Sequence, residues 1–443
     1  MVEISIPWGA LEIIERLEAA GFEAFAVGGC VRDSALGKSP TDWDVTTNAL
    51  PAQIAAVFCD AKKIEFGERH GTISVKSDSQ YYEITTYRID GVYSDGRRPD
   101  SVSFTPSLED DLRRRDFTIN AMAYSPKSGL VDPFSGHDDL KAGLVRAVGD
   151  ANERFREDYL RIIRAYRFAA TLGFELEPAT RAACLAGRHN LEKIARERIG
   201  AEVSKLLAAL DVEAVVRFLE DAADVIFPDL AALRGLRQNS THHIYDAYEH
   251  TLYVIRNTPN TLHQRLAAIF HDTGKLAART TDAQDKDHFH GHAAVSVEIA
   301  ERALSNYCLD NRVKSKALGI IRHHMRLIEP EREALKHLMN KLGVNTLEDI
   351  LQFQRADNLA KSAKAAPRLE AIERAQALLA EIIAAGEPVT IKDLAITGQD
   401  VMRTLGLAPS PAVGAHLNQL LEAVVKNPSL NTREGLIGYL LSK

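Results

Sequence analysis

The strongest structural signal in this chain is the segment FAVGGCVRDSALGKSPTDWDVTT, residues 25–47. It begins with a short apolar strand, turns at Gly28 and Gly29, and continues into a predicted helix that carries Arg32. Glycines let backbone N–H groups approach a phosphate without an intervening Cβ, and an arginine adds a charge-assisted hydrogen bond. A glycine pair followed by one arginine is usually a structural turn, so its meaning depends on the residues that come next.

Two aspartates, Asp42 and Asp44, follow the turn at the start of a strand-like run. Alternate residues of a strand point the same way, so the sequence predicts that the two carboxylates converge. Such carboxylates repel each other unless a cation lies between them, and Mg²⁺ binds one or two carboxylates together with substrate phosphates. An isolated pair would more often be solvated, but the nearby glycine turn favours a catalytic Mg²⁺ site. Two metal ions about 3.5–4 Å apart could then activate a hydroxyl and hold a leaving pyrophosphate.

Two further segments of the same region carry candidate site residues. Glu83, in the strand-like run YYEITTYR, is a third candidate carboxylate, although an ordinary strand charge explains it equally well. Arg115 closes a run of three arginines in EDDLRRRDFTINAMAY and is the predicted phosphate contact. A solvated helix face is the alternative for that run.

Length and composition limit the classes of protein to consider. The chain has 443 residues, of which 45% are hydrophobic and 26% charged, so two to four domains are expected. No apolar run approaches the roughly 18 residues of a membrane span, and the first residues lack the pattern of a secretory signal. The four cysteines are widely spaced, which indicates neither a disulfide scaffold nor a zinc knuckle. We therefore expect a cytoplasmic protein.

Periodicity divides the chain into four predicted domains. Strand-like and helical runs mix over residues 1–146, the head, which is typical of an α+β fold. Helical patterns dominate afterwards, and we predict an all-helical neck over residues 147–225, a histidine-rich helical domain over residues 226–365 and a helical tail over residues 366–443. The net charge is -7, but residues 151–200 carry ten Lys or Arg against seven Asp or Glu. This local excess favours a phosphate-facing surface in the neck.

A strip of charged residues in REDYLRIIRAYRFAATLGF is the predicted base-reading surface. Its members are three residues apart and would share one helix face: Asp158, Arg161, Arg164 and Arg167. Such a strip is usually a solvated salt-bridge ladder. Cytosine and adenine, however, both present an exocyclic amine beside an unprotonated ring nitrogen, whereas guanine and uracil present a carbonyl beside a ring N–H. A carboxylate only accepts and a guanidinium only donates, so Asp158 with Arg161 matches C and A without a template.

Together these segments resemble class II CCA-adding enzymes and bacterial poly(A) polymerases of the polymerase-β-like nucleotidyltransferase superfamily. The resemblance covers about residues 25–200 and lies in VGGCVRDSALG, TDWDVTTNALP, EITTYRIDGVYSDGRRPDSVSF, RRRDFTINAMAY, LVDPFSGHDDL and REDYLRIIRAYRFAATLGFELE. It implies a polymerase-β-like head, the addition of C, C and A to the 3′ end of tRNA from CTP and ATP, and a specificity loop at residues 91–100. Its implied roles agree with those inferred above: nucleotide binding by Gly28, Gly29, Arg32, Arg115, Asp158, Arg161, Arg164 and Arg167, and Mg²⁺ binding by Asp42 and Asp44.

The second half of the chain is rich in histidine, with ten of the fifteen histidines at residues 242–324, which indicates a metal-binding module. The segments YEHTLYVI, RLAAIFHDTGK, HFHGHAAVS and IIRHHM resemble an HD domain, a helical metal-dependent phosphohydrolase fold. This resemblance implies four ligands for a divalent metal of open identity: His250, His271, Asp272 and Asp357. His292 and His324 are candidate ligands of a second metal, with Met325 where some relatives carry Asp. The domain would either hydrolyse phosphoesters, including 2′,3′-cyclic phosphates, or be retained as a scaffold.

Several functions remain open from the sequence. Full CCA addition leads, and A-only addition or poly(A) synthesis is the nearest alternative. An HD phosphohydrolase whose head only binds RNA belongs to another class, and Asp42 and Asp44 speak against it because a binding module needs no such carboxylates. The tail resembles the end of HD-containing CCA-adding enzymes, which implies contact with tRNA.

Overall fold

The computed structural model describes residues 3–67, 71–91, 101–239, 244–284 and 286–442. Two compact units are present: the first contains residues 1–227 and 306–308, and the second contains residues 228–305 and 309–443. Of the predicted specificity loop, only Gly91 is among the described residues. His242 and His243 also lie outside the described residues. Within the described ranges, no helix is both long and apolar enough to cross a membrane.

A mixed sheet of seven strands is the centre of the first unit. The strands of the head are β1 (Ala24–Val27), β2 (Asp44–Thr47), β3 (Lys63–Gly67), β4 (Thr72–Ser77), β5 (Gln80–Thr86), β6 (Arg88–Asp90), β7 (Val102–Phe104), β8 (Ala123–Ser125) and β9 (Gly129–Val131). The sheet order is β3-β4-β5-β2-β1-β8-β9, and β6 pairs separately with β7. Neighbours in the sheet are antiparallel except for the parallel pair of β2 and β5.

The alternation of β5 explains how this sheet positions polar residues. Tyr82, Ile84 and Thr86 are buried, whereas Tyr81 and Glu83 are exposed, so one face of the strand packs into the core. Helix α1 (Trp8–Ala19) also contributes a buried apolar face to this unit. The opposite face of β5 is exposed and carries the charged residue Glu83.

The remaining helices of the first unit flank the sheet and form the neck. They are α2 (Gly29–Ala35), α3 (Pro51–Val57), α4 (Leu108–Arg113), α5 (Gly136–Ala142), α6 (Ala151–Glu157), α7 (Leu160–Leu172), α8 (Pro178–Gly187), α9 (Arg196–Leu207) and α10 (Val212–Ile226), with 3-10 turns at Thr118–Asn120 and Arg188–Lys193. The predicted all-helical neck also contains one short strand, because β11 (Glu175–Leu176) pairs in parallel with β10 (Leu144–Val145). Two residues are too few to give a readable period-2 pattern.

The second unit is helical apart from a two-residue strand pair, β12 (Thr280–Thr281) with β13 (Asp287–His288). Its helices are α11 (Pro228–Ala231), α12 (Ala247–Asn257), α13 (Leu262–Phe270), α14 (Lys275–Ala278), α15 (His292–Asn306), α16 (Asn311–His323), α17 (Arg332–Leu342), α18 (Val344–Leu359), α19 (Ala366–Ala384), α20 (Gly398–Leu405), α21 (Pro411–Lys426) and α22 (Arg433–Leu441), with 3-10 turns at Ala363–Ala365, Ile391–Asp393 and Pro428–Leu430. One apolar core joins α17, α18 and α19, and another joins α20, α21 and α22. The four-domain division of the sequence stays a prediction.

Candidate functional site

The predicted glycine turn is present at the end of β1. Gly28 precedes α2 with φ 80° and ψ -128°, a conformation that glycine adopts far more readily than other residues. A Cβ at this position would also lie 2.9 Å from Nη1 of Arg115. The turn therefore needs glycine both for its backbone and for the approach of an arginine.

Asp44 is the first residue of β2, and it lines a cavity beside this turn. Glu83 is its register partner on β5, so both side chains leave the same face of the sheet. Desolvation raises the pKa of Asp44, Glu83 and Asp42 raise it further, and Arg115 opposes them. A carboxylate whose ionisation is opposed by two neighbouring carboxylates is a place where a cation is stabilised.

The expectation that Asp42 shares a strand with Asp44 was wrong. Strand β2 begins at Asp44, which pairs with Val27, the last residue of β1, and with Glu83 of β5. Asp42 lies exposed in the preceding connection, where Thr41 Oγ1 donates to its Oδ2 at 3.4 Å. Strand alternation therefore does not bring the two carboxylates together, although Asp42 is close enough to raise the pKa of Asp44.

One cavity of about 450 Å³ gathers most of the predicted head and neck residues. Its lining consists of Gly28, Gly29, Arg32, Asp44, Arg114, Arg115, Asp116, Asn120, Asp158, Leu160, Arg161, Arg164, Phe168 and Arg198. Three predicted residues, Asp42, Glu83 and Arg167, do not line it. The cavity thus joins the glycine turn and a carboxylate to a set of arginines, a composition suited to a polyanion.

The arginines near the glycine turn are held by side-chain hydrogen bonds. Arg32 donates to Asn120 Oδ1 at 2.7 Å and to Asp33 Oδ1 at 2.8 Å. Arg115 Nη2 donates to Asp111 Oδ2 at 3.4 Å, whereas its buried Nε has no hydrogen-bond partner among the described residues. An unpaired guanidinium N–H at a cavity wall is a position that an anionic ligand can satisfy.

Asp111 is a residue that the sequence analysis missed. Its fully buried carboxylate accepts two hydrogen bonds from Arg114, at 3.0 and 2.8 Å, besides the one from Arg115. Thr46 Oγ1 on β2 and the backbone N–H of Arg88 also donate to it, each at 3.3 Å. Burial alone would raise the pKa of Asp111, but the two arginines outweigh it and lower the pKa. One ionised carboxylate therefore ties the arginine run to β2, the strand that carries Asp44.

The base-reading residues do not share a single helix as predicted. Helix α6 ends at Glu157 and α7 begins at Leu160, so Asp158 lies between them and its Oδ1 accepts the Leu160 N–H at 3.0 Å. Arg198 on α9 donates to the other oxygen, Oδ2, at 2.7 Å. Arg161 lies in the first turn of α7 and donates to the carboxylate of Glu157. It also donates to the backbone carbonyl oxygen of residue 154 at 3.0 Å and to that of residue 114 at 3.1 Å. Capping by a short polar side chain explains the break between the helices.

The two later arginines of the strip are anchored to buried carboxylates. Arg164 donates to Asp116 Oδ2 from Nε and Nη2, at 2.9 and 2.6 Å. Burial would raise the pKa of Asp116, but Arg164 and a hydrogen bond from Asn120 lower it to about 2. Arg167 donates to Glu202 Oε2 at 2.6 Å and does not line the cavity, although Glu202 also lies 3.6 Å from Arg164. Arg164 is therefore part of the cavity wall, whereas Arg167 supports the wall from behind.

The second unit brings the predicted metal ligands together in one buried cluster. Its members come from α12, α18 and the ends or starts of three further helices: His250, His271, Asp272, His292, His324 and Asp357. His250 Nε2 lies 3.0 Å from Asp357 Oδ1, and His271 Nε2 lies 3.2 Å from Asp272 Oδ2. The candidate ligand atoms form two groups, each compact enough to hold a metal ion. The first group contains His250, His271 and Asp272, and the second contains Asp272, His292 and His324. Asp272 is common to both.

Each histidine of this cluster is oriented by a backbone carbonyl. Nδ1 of His271, His292 and His324 lies 2.7–2.8 Å from the carbonyl oxygen three residues earlier, and Nδ1 of His250 lies 3.3 Å from the carbonyl of Ala360. A carbonyl only accepts, so Nδ1 carries the proton and the Nε2 lone pairs point inward, as in metal centres whose ligands are fixed by backbone partners.

The inward nitrogen atoms fit a cation. His292 Nε2 and His324 Nε2 are 3.1 Å apart, and burial lowers the pKa of His324 to about 3, so that ring is neutral. Two facing lone pairs repel unless something positive lies between them. His271 Nε2 is buried with no hydrogen-bond partner within the described residues. The cluster therefore has the unsatisfied donor atoms that a divalent metal requires.

Not every histidine of this region joins the cluster. His263 pairs with Asp349 at 3.0 Å and His288 with Asp282 at 2.8 Å, both outside it. Met325, which follows His324, is 61% exposed, so the second ligand group forms without it.

Comparison with known proteins identifies the family. Models of the poly A polymerase head domain, of an RNA- and SrmB-binding site of polymerase A, and of domain 2 of tRNA nucleotidyltransferases match residues 24–146, 173–233 and 301–440. The CCA-adding enzyme of Geobacillus kaustophilus is 33% identical over 436 residues, which cover 98% of this chain and 96% of that protein. The chain belongs to the CCA-adding enzymes. The CCA-adding enzyme of Latilactobacillus sakei is 46% identical over 242 residues, 54% of this chain and 60% of that protein.

Solved structures of CCA-adding enzymes confirm the predicted α+β fold with a helical C-terminal region. The Bacillus stearothermophilus CCA-adding enzyme in complex with CTP has a TM-score of 0.67 and 29% identity, covering 98% of this chain and 96% of that one. The Thermotoga maritima CCA-adding enzyme complexed with tRNA shares the fold at a TM-score of 0.60 and 18% identity, covering 97% and 93%.

Proposed function

We propose that the cavity beside Asp44 is where this CCA-adding enzyme joins nucleotides to tRNA. As a member of its family, the chain adds C, C and A from CTP and ATP to the 3′ end of tRNA without a nucleic-acid template. The observation that carries the assignment is that one cavity contains the glycine turn, a carboxylate of raised pKa, Arg115 and the pair Asp158 and Arg161. The tRNA 3′ hydroxyl is the nucleophile, and pyrophosphate leaves.

Asp42 and Asp44 would hold Mg²⁺, with Glu83 as a third carboxylate. The raised pKa of Asp44 supports this, because a cation relieves the repulsion from its two acidic neighbours. Oxygen ligands alone favour Mg²⁺ over softer metals. When bound, the metal supplies charge neutralisation at the reacting phosphate and lowers the pKa of the attacking hydroxyl.

The triphosphate would lie between the glycine turn and the arginines. Arg115 offers its unpaired Nε, and Gly28 leaves room for its guanidinium. Arg32 is held by Asn120 and Asp33 at the same wall, so it can add a charge without losing much conformational freedom on binding. These residues position the phosphates, and positioning with charge neutralisation supplies most of the rate in phosphoryl transfer.

Asp158 and Arg161 would read the base. Arg198 holds one oxygen of Asp158 at 2.7 Å, and a carboxylate oxygen has a second lone pair that can accept from the base amine. Arg161 is fixed by two backbone carbonyls, so its remaining N–H groups have a defined direction. Arg164, held by Asp116, completes this wall and Arg167 supports it.

Nucleotide addition to staged tRNAs tests the assignment. Transcripts that end before the first C, after one C and after two are incubated with CTP or ATP alone. We expect two C residues on the first, one C on the second and one A on the third. Incorporation of ATP with none of CTP would refute full CCA addition, and long A tails would indicate poly(A) synthesis. Asp44→Asn should abolish incorporation, whereas Glu15→Gln, an exposed carboxyl on α1, is the matched control.

We also propose that the buried histidine cluster is an HD-type metal centre that hydrolyses phosphoesters. The facing Nε2 atoms of His292 and His324 and the unpartnered Nε2 of His271 support it. Imidazole and carboxylate donors suit Mn, Fe, Ni or Mg. Asp272 would be shared by two cations, the first with His250, His271 and Asp357, the second with His292 and His324.

Two variants separate the two proposed activities. Asp42→Ala should abolish nucleotide addition and leave unchanged the release of phosphate from p-nitrophenyl phosphate and the ring opening of 2′,3′-cyclic AMP to a monophosphate. His271→Ala should do the reverse. Loss of both activities in either variant would contradict two independent sites, provided that its circular dichroism matches that of the parent.

Two further assignments rest on the same reasoning. We propose that residues 366–443 contact tRNA, and that the four-domain division describes how the chain is organised around its two sites. We expect the protein in the cytoplasm, where its tRNA and nucleotide substrates are found. Crosslinking to tRNA that fails to label residues 366–443 would overturn the first of these.

A further inference from the structure

A cavity of about 270 Å³ lies directly beside the histidine cluster. Its wall contains Asp272 and Asp357 together with Gln238, Lys275 and Lys361. The volume is below the roughly 300–1,000 Å³ of pockets that enclose a whole ligand, so it suits the reacting end of a larger molecule. The chemistry of its walls then indicates what that end is.

Two lysines reach into this cavity and hold the aspartates of the cluster. Lys275 Nζ donates to Asp272 Oδ2 and to Gln238 Oε1, each at 2.6 Å, and its side chain is 7% exposed. Lys361 Nζ donates to Asp357 Oδ2 at 2.5 Å and is 15% exposed. Lysine is rarely this buried without a partner of opposite charge.

A third donor in the same wall has no partner. Gln238 is 3% exposed, its Oε1 accepts from Lys275, and its Nε2 makes no hydrogen bond within the described residues. A buried amide N–H₂ that remains unsatisfied costs about 1–3 kcal/mol. An acceptor atom from a bound ligand would remove that cost.

The arrangement of oxygen atoms shows what a cation would change. Asp272 Oδ2 lies 3.2 Å from His271 Nε2 and also accepts from Lys275, so a metal bound there takes the acceptor of that ammonium. Asp357 presents Oδ1 to His250 and keeps Oδ2 for Lys361, so the second ammonium stays beside the metal. A metal at Asp272 would therefore weaken the hydrogen bond from Lys275, which keeps Gln238 Oε1 as an acceptor, while Lys361 would keep Asp357 Oδ2.

Charge selects the ligand. The two carboxylates and the two ammonium groups balance each other in charge. The two divalent cations of the proposed centre would add four positive charges, of which a phosphate monoester dianion neutralises two. A phosphodiester or a 2′,3′-cyclic phosphate carries a single negative charge and neutralises only one of them.

We infer that Lys275, Lys361 and the Nε2 group of Gln238 form an anion subsite that anchors a terminal phosphate monoester beside the metal. The inference rests on the proposed metal centre and narrows its substrate class to monoesters. Each ammonium group has three N–H donors, so the lysines can neutralise the aspartates and also donate to a substrate phosphate.

Binding measurements test the subsite without relying on turnover. Calorimetry first measures Mn²⁺ binding to the full chain, and then titrates inorganic phosphate or dimethyl phosphate into the protein with and without Mn²⁺. We expect inorganic phosphate to bind only in the presence of Mn²⁺, and to bind at least tenfold more tightly than the monoanionic dimethyl phosphate. Lys361→Ala and Gln238→Ala should each weaken phosphate binding about tenfold without weakening Mn²⁺ binding, and Lys361→Arg should restore part of the loss.

Lys286→Ala is the matched control, because Lys286 lines the same cavity but is exposed. An equal loss in this variant would overturn the subsite in favour of a general positive potential. If Lys361→Ala tightens Mn²⁺ binding and leaves phosphate binding unchanged, the lysines are counter-ions only and the inference is wrong. If the parent protein binds Mn²⁺ but no phosphate, the subsite fails while the metal centre stands. If it binds no Mn²⁺, the metal centre itself fails and the subsite with it.

Discussion

Replacement of Asp111 by Asn is expected to damage nucleotide binding from outside the cavity. Asp111 does not line the cavity, yet its carboxylate holds Arg114 by two hydrogen bonds and Arg115 by one. Asparagine has nearly the same size, but its amide group turns an N–H₂ donor toward guanidinium donors. The change therefore removes the charge and reverses one hydrogen bond without creating a large void.

The size of the effect follows from burial. Asp111 is fully buried and its pKa is lowered, so the ion pairs are not screened by solvent. Removing one member of a buried charge cluster costs about 3–5 kcal/mol. We expect the free energy of unfolding of Asp111→Asn to fall by about 3 kcal/mol. Because Arg115 loses its support, the KM for both CTP and ATP should rise roughly tenfold, equivalent to about 1.4 kcal/mol of lost binding.

Urea unfolding and steady-state incorporation measure the two effects separately. Thr46→Val is the matched control, since it removes only one hydroxyl, which lies 3.3 Å from Asp111 Oδ2 and 3.1 Å from the Thr85 carbonyl oxygen, at a cost of about 1 kcal/mol. Equal unfolding midpoints for the two variants would refute the view that this carboxylate positions Arg115. An unchanged KM in a folded Asp111→Asn enzyme would refute it as well.

Four further outcomes are expected. Asp158→Asn should lower the preference for CTP over UTP at least tenfold in relative kcat/KM, because an amide can both donate and accept; unchanged selectivity would remove Asp158 from base reading. The pKa of Asp116 is depressed to about 2, so its stabilisation of the fold, roughly 2–3 kcal/mol, is present above about pH 4, near its unfolded pKa, and is lost as the pH falls towards 2. Asp116→Asn should flatten acid unfolding in that window, and an identical acid profile would contradict the ion pair with Arg164. Removal of divalent metal by EDTA should stop nucleotide addition, and Mg²⁺ should restore it; addition that persists in EDTA would exclude the carboxylate metal site. His292→Ala should lower the bound metal of the cluster from two ions to one by elemental analysis, whereas retention of both would show that His292 is not a ligand.

The head shows which features a sequence can predict. The turn at Gly28 was predictable because its conformation demands glycine, and Arg115 was predictable because an arginine run beside such a turn favours a polyanion. Asp111 was not, because a single aspartate in an acidic helix turn carries no periodic signal. Its importance depends on Thr46 and Arg88, which are brought to it by the tertiary fold.

Errors in the predicted site arose from secondary structure. The three-residue spacing of Asp158 and Arg161 suggested one helix, but the carboxylate caps the next helix and breaks the run. Asp42 was placed on a strand because the residues that follow it are strand formers, but pairing of β2 with β1 and β5 begins only at Asp44. In both cases a local pattern was overridden by capping or by strand pairing, neither of which periodicity records.

In the second unit, the residues that form the buried cluster were predictable but their orientation was not. The order of histidines and aspartates resembled an HD domain, and the structure brings all six candidates together. The carbonyl partners of the imidazoles and the unpartnered Nε2 of Gln238 depend on how helix ends meet in space. The metal type and the substrate of this site therefore have to be tested by binding.

The parallel pairing of β2 with β5 has a consequence for how the catalytic centre is assembled during folding. A slip of one residue in this register would set Tyr82 or Ile84, which belong to the core, opposite Asp44 and turn Glu83 to the other face. The same apolar burial that stabilises the sheet thus selects the correct carboxylate. Because β2 and β5 are far apart in sequence, the entropy of closing the intervening chain opposes the acidic pair until burial in the sheet offsets that cost.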